Sequence, residues 1–426
     1  MQNEALAAQA GEEAGEYIAR PRRLALFLLI VVYTLNFLDR QILSILKEPI
    51  AAELHLTDTQ LGLLGGFAFA LFYSVLAIPA AWLADRFSRV WIVTAGLALW
   101  SAFTTLSGMA GSYATLFFAR MGVGVGEAGG VAPSYSLIAD YFPPRSQARA
   151  LAVYSFGIPI GSAAGVLFGG LMAKTVDWRF AFVVIGGFGI LLAPMLRAFV
   201  PDPPRRATTA AQLKLGEVAR LAAAKPTFWL LAIGAGCSSL VGYGLMYWLP
   251  TFLARTLQMD IVSRSELLAA VLFFGGVAGM GAGGWLADRL GARGKRGYAL
   301  IPAAAFLLSA PLYALALLAN TPMQTFLLLL LPYALALVWL GPVLTAVQHL
   351  APAASRSTMS ALFLLVNNLI GLGAGPYLFG KLSDLLKPAY GADSIKVAFL
   401  YGLGFYLVAA LLLFLASRRI GRDWVD

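Results

Sequence analysis

Charge is scarce in this chain. Only 12% of its 426 residues are Asp, Glu, Lys or Arg, against 60% apolar residues and a mean hydropathy of +0.78. That balance excludes an ordinary soluble enzyme and a disordered chain, both of which need far more polar surface. A single cysteine, Cys237, excludes an internal disulfide and leaves the redox compartment unreadable. The two histidines, His55 and His349, stand far apart, and no metal-ligating cluster is visible. Neither supplies the nucleophile, metal set or His/Asp pair that a membrane-embedded lipid-modifying enzyme would need. The chain is therefore read as a non-enzyme without a cofactor. Also missing is the short alternating pattern of a membrane barrel.

What is present is a series of apolar runs of roughly 20 residues, the length an α-helix needs to cross hydrocarbon. They fall near 24–46, 59–84, 90–109, 113–138, 149–173 and 179–199, then near 227–254, 266–288, 298–319, 323–348, 357–380 and 395–416. The expected fold is an all-α membrane protein with twelve transmembrane helices arranged as two six-helix repeats. Residues 1–23 form an N-terminal segment, 24–200 and 227–416 the two bundles, 201–226 a linker and 417–426 a tail. The first run follows Arg20, Arg22 and Arg23 and has no cleavage site, so it reads as a retained span. With both termini cytoplasmic, roughly 21 Lys and Arg lie inside against about eight outside, as the positive-inside rule requires. That orientation accounts for the net charge of +10 without a nucleic-acid partner. The linker is proline-rich, then helical and basic, as expected of a segment lying along the membrane surface.

The two halves repeat a loop. "AWLADRFSR" (Ala81–Arg89) follows the second run and "GWLADRLGAR" (Gly284–Arg293) follows the eighth, the second of its half. A copy at equivalent positions marks a transporter built from repeats. These loops resemble the G-x-L-A-D-R-x-G-R motif of the major facilitator superfamily, with Ala81 and Ser88 where glycines are usual. The resemblance implies that Asp85, Arg86, Asp288 and Arg289 act as conformational latch residues, bracing neighbouring helices on the cytoplasmic side.

Three further stretches, "LNFLDRQILS", "ARMGVGVGEAGGVAPSYSLIADYF" and "RSQARALAVYSFGIPIGSAAG", resemble the Spinster branch of that superfamily over about 130 residues. What this implies is proton-linked movement of lysophospholipids or sphingosine-1-phosphate-like amphiphiles. Small organic anions or amphipathic drugs are the alternative cargo. A monomer is expected, in the inner membrane of a bacterium, as the short termini and compact loops suggest.

The sharpest chemistry lies in the charged residues within spans. A lone Asp or Arg at the centre of a spanning helix costs about 2.5 to 3.5 kcal/mol, so such residues face protein or water and mark pathways. Helical rise puts Asp39, Arg40 and Arg120 at similar depth, with Glu127 about 10 Å deeper on the same face as Arg120. All four can share one cavity. A static salt-bridge network is one reading; it is disfavoured because buried pairs are weak stabilisers. Burial favours the neutral form of a carboxyl group and a neighbouring arginine the charged form, so a cavity opening alternately to each side can load and release a proton. Asp39 and Glu127 are the expected proton-coupling sites. Arg40 and Arg120 are expected to pair with them and to compete for an anionic headgroup, which a guanidinium binds in two places.

Tyr33, Asn36, Arg40 and Ser44 form a polar stripe on the first span, expected to line the cavity. In the second half Tyr243 and Tyr247 share a face with Ser239, and Asn367 and Asn368 sit mid-span; substrate contact and interhelical hydrogen bonding explain them equally well. The many glycines around Glu127 read as close packing. The stretch "GIPIGSAAGVLFGG" (Gly157–Gly170) reads either as an exchange motif or as a packing face.

Overall fold

The computed structural model describes the backbone of residues 2–203, 215–291, 294–352 and 355–425. Side chains are described from Arg22 onward, except at 85, 144, 145, 148, 215, 287, 288, 290 and 291. Most of the linker and the side chains of Asp85 and Asp288 thus lie outside the described residues. Within them the chain is helical, without strands.

The first half contains α1 (Gln2–Leu54), α2 (Asp58–Gly65), α3 (Phe67–Arg86), α4 (Arg89–Gly108), α5 (Tyr113–Glu127), α6 (Val131–Tyr141), α7 (Pro144–Ser155), α8 (Gly157–Thr175) and α9 (Trp178–Phe199). After α10 (Leu215–Ala224), the second half contains α11 (Pro226–Arg255), α12 (Ile261–Ala270), α13 (Gly276–Gly291), α14 (Gly297–Leu317), α15 (Pro322–Leu337), α16 (Leu340–Gln348), α17 (Arg356–Asn368), α18 (Gly375–Tyr390), α19 (Ser394–Gly402) and α20 (Gly404–Asp423). One-turn π segments, Val271–Gly275 and Leu369–Ala374, join α12 to α13 and α17 to α18.

Ten described segments are long and apolar enough to cross a membrane. Two local features separate that count from the twelve runs of the sequence. The tenth segment, 356–423, doubles back at Gly391, where φ is +53°; Ser383 then lies against Ser394 and Phe379 against Phe399, as in a hairpin. The fourth run breaks at Ala128–Gly130, between α5 and α6. Its glycines weaken the helix there.

Lipid supplies no hydrophobic drive for helices to associate, so packing depends on backbones coming close. α8 does this against α1: a Cβ at Gly165 would lie 2.6 Å from the Leu38 carbonyl oxygen. The packing reading of "GIPIGSAAGVLFGG" describes that contact. It fixes the rotation of α1 at the residue before Asp39.

The termini and linker mark one end of the bundle, here the terminal end; the opposite end is the far end. Among the described residues, every hydrogen bond from 24–200 to 227–416 lies from Ser44 toward the far end. The two halves are sealed there.

Candidate functional site

Asp39 and Arg40 leave α1 in different directions, as neighbours on a helix must. Asp39 Oδ2 accepts from Arg120 Nη1 at 3.0 Å and its Oδ1 from the Thr104 hydroxyl at 2.9 Å. Arg40 reaches Glu127, with Nη2 at 2.7 Å and Nε at 2.9 Å from the same oxygen, Oε2. Asp39, Arg40, Arg120 and Glu127 are thereby joined as two ion pairs between α1 and α5.

The two pairs differ in access. Asp39, Arg120 and Glu127 are almost wholly buried, whereas the Arg40 side chain keeps 13% of its surface accessible. Its guanidinium lies 5.1 Å from the Phe37 ring centroid and 4.7 Å from those of Phe69 and Tyr73. Such faces attract a cation without neutralising it. Glu127 Oε1 and Arg120 Nε have no hydrogen-bond partner among the described residues.

Glu127 is the last residue of α5. A Cβ at Gly126 would lie 2.5 Å from the Trp100 backbone nitrogen, so α4 and α5 touch beside the carboxylate. This is the close packing that the glycine pattern suggested.

Of the other expected lining residues, Tyr33 stacks on Tyr154 at 4.4 Å and meets Phe37 edge-on at 5.2 Å. Asn36 is buried, and its Oδ1 has no hydrogen-bond partner among the described residues. Tyr243 is partly buried, packed against the core. Asn367 accepts from the Ser239 hydroxyl at 2.9 Å, within the second half.

Ser44 and Tyr247 belong to the far-end seal. The Ser44 hydroxyl donates to the Tyr247 carbonyl at 2.9 Å, and the Tyr247 hydroxyl donates to the Leu61 carbonyl at 2.7 Å. Arg255 grips Asp58 through Nη1 to Oδ2 at 2.7 Å and Nη2 to Oδ1 at 2.8 Å. Asp384 accepts from Asp58 N at 3.2 Å, Thr59 N at 2.7 Å and the Thr59 hydroxyl at 2.5 Å. Sequence reasoning passed over Lys47, Asp58, Arg255 and Asp384 because charges near span ends resemble ordinary flanks; only their wide separation in sequence hides the pairing.

At the terminal end Arg86 and Arg289 are exposed, lying 3.9 Å from the Trp82 and 5.1 Å from the Trp285 ring centroid of their own helices.

Comparison with known proteins places this geometry. A family model described as Major Facilitator Superfamily matches residues 29–376. An MFS-type efflux pump of Mycolicibacterium smegmatis is 35% identical, over 95% of each chain. Protein spinster homolog 1 of Homo sapiens is 29% identical, over 86% of this chain and 74% of its own. A crystal structure of a bacterial homologue of the human lysosomal transporter Spinster, inward-facing and unoccupied, superposes with a TM-score of 0.86 at 29% identity, covering 96% of this chain and 99% of that one. The chain is a multi-pass membrane protein with Spinster proteins among its relatives, and it belongs to the Major Facilitator Superfamily of membrane transporters.

Proposed function

We propose that this protein is a proton-coupled transporter of lysophospholipid or sphingosine-1-phosphate-like amphiphiles, working by alternating access. The observation that carries the reading is the Arg40–Glu127 pair, one member sealed at 0% exposure and the other reachable at 13%. An anionic headgroup arriving at Arg40 competes with Glu127 for the guanidinium; protonation of Glu127 frees Arg40 for it. Asp39 and Arg120, one helical position away and fully enclosed, hold α1 against α5 and form a second proton-accepting pair. One charge moving through 100 mV supplies about 2.3 kcal/mol, sufficient for a gradient of roughly fiftyfold.

In this reading the termini are cytoplasmic and the protein works as a monomer in a bacterial inner membrane. The far-end seal is then the shut outer side. Asp85, Arg86, Asp288 and Arg289 engage when the inner side closes. The test is efflux or uptake of a labelled lysophospholipid by proteoliposomes with and without an imposed pH gradient. Transport indifferent to the gradient removes proton coupling; none of the amphiphile removes the cargo.

The 35%-identical relative named as an efflux pump favours a second reading, in which amphipathic drugs or small organic anions are the cargo. Competition of the same transport by an unrelated amphipathic cation and by a short-chain carboxylate separates the two.

A further inference from the structure

The far-end seal gathers Lys47 and Arg255 within electrostatic reach of Glu48 and Asp58, and Arg264 within reach of Glu48 and of Asp260 at the start of its own helix. Lys47 is fully buried, donates to the Tyr247 carbonyl and lies 4.1 Å from the ring centroids of both Tyr247 and Trp248. Arg264 is 6% exposed, and its Nε has no partner among the described residues. Arg255 takes both acids, holding Asp58 by two parallel bonds and Glu48 Oε2 through Nε at 3.2 Å.

These charges are divided between the halves. Glu48 and Asp58 belong to the first, Arg255 and Arg264 to the second. Asp384 of the second half is committed to the start of α2 in the first. Parting of the halves at this end withdraws both carboxylates together and leaves Arg255 and Arg264 on the same half, Arg264 with a donor already unfilled and with Asp260 still near it. A guanidinium that grips a carboxylate in two places grips a phosphate monoester in the same way.

We propose that Arg255, backed by Arg264, is an anion site of the far mouth. Asp58 and Glu48 occupy it while that end is shut; the phosphate or carboxylate group of a ligand occupies it when the mouth is open. The inference rests on the alternating-access reading but not on proton coupling. Asp58 is then a tethered rival of the ligand. Removing it raises anion affinity, and an anion that binds only the open form shifts the population toward it.

The experiment uses the full chain in nanodiscs, in a Cys237→Ala background, with spin labels at exposed Ala52 and Ala389, one on each half at the far end. The probes are hexyl phosphate, inorganic phosphate and, as the uncharged control, hexanol. In the otherwise unsubstituted protein hexyl phosphate enlarges the long-distance population and hexanol does not. Asp58→Asn opens the mouth without a probe and responds at hexyl phosphate concentrations about tenfold lower, the loss of one charged competitor. Arg255→Gln also opens it but no longer responds. Arg255→Lys, which keeps the charge without the fork, responds about tenfold more weakly than the parent.

A response to inorganic phosphate equal to that to hexyl phosphate assigns the site to free anions; a response to hexyl phosphate alone assigns it to an amphiphile headgroup. Equal responses in Asp58→Asn and Arg255→Gln, or a hexanol response matching that of hexyl phosphate, overturn the proposal. Because opening is read at equilibrium without a pH gradient, failure of proton coupling leaves this result standing, and its failure leaves coupling untouched.

Discussion

Arg40 and Glu127 meet at 2.7 Å, Nη2 to Oε2, across the contact between α1 and α5. The acid is sealed and the base is not. Whatever binds the accessible surface of Arg40 therefore acts on Glu127 without touching it. Neighbouring Asp39 turns the other way, to Arg120, so one helix carries two pairs of unequal exposure.

Glu127→Gln keeps the volume and a hydrogen-bond acceptor for Arg40 but removes the carboxylate proposed to bind the proton. Exchange of labelled for unlabelled amphiphile across proteoliposomes is expected to persist within about threefold of the parent and to lose its pH dependence, while uptake driven by a pH gradient falls at least about a hundredfold, the scale set by losing a proton-transfer group. Gradient-driven uptake surviving in the variant would reassign the coupling group.

Asp39→Asn leaves Arg120, 2% exposed, without its counter-charge. An uncompensated buried charge costs about 3 to 5 kcal/mol, seen as a lower thermal midpoint in detergent. The double variant Asp39→Asn with Arg120→Gln is expected to recover most of that loss, because neither charge is then stranded. Transport stays impaired in both if the pair also handles protons. A double variant no more stable than the single one would show that the two side chains do not interact.

How much of this was legible in the sequence depended on what each residue could hide. Asp39, Arg40, Arg120 and Glu127 stand out because a charge within a span is costly in hydrocarbon and needs a partner or water. Which arginine takes which acid was not readable, since it depends on how α1 is rotated against α5, and that is set by backbone contacts such as Gly165 on Leu38. The aromatic faces of Phe37, Phe69 and Tyr73 around Arg40 were equally invisible, because an aromatic residue in an apolar run looks the same facing lipid or facing a cation. Ser44 and Tyr247 were legible as polar residues within spans; that they join the two halves follows from the docking of one half on the other, which no local pattern records.

Gly126→Ala tests the packing that places Glu127. The added methyl meets the Trp100 backbone nitrogen at 2.5 Å, and backbone cannot move aside as a flexible side chain can. Overpacking of this kind costs about 1 to 3 kcal/mol. Separation of α4 and α5 also shifts the carboxylate from Arg40, so gradient-driven transport is expected to fall although no charged group has changed. Thermal stability and transport measured on the same preparation check this. Stability lost with transport intact would mean that α5 yields without carrying Glu127 with it.

Asp384→Ala addresses the seal from the side that the ion pairs do not use. Its carboxylate accepts from the backbone nitrogens of Asp58 and Thr59 and from the Thr59 hydroxyl, which makes it a helix cap supplied by the opposite half. Losing a cap costs about 0.5 to 2 kcal/mol. Here the cost falls only on the shut state, because opening breaks these bonds in any case. The far-end-open population is therefore expected to rise about two- to thirtyfold relative to the shut one, with a loss of resistance to complete unfolding no larger than the cap itself. Asp384→Asn, which keeps one acceptor oxygen, should lie between. Spin-label distances across the far end read the population, and thermal unfolding of the same samples reads stability. A fall in the unfolding midpoint with unchanged distances would make Asp384 part of the scaffold and remove it from the seal.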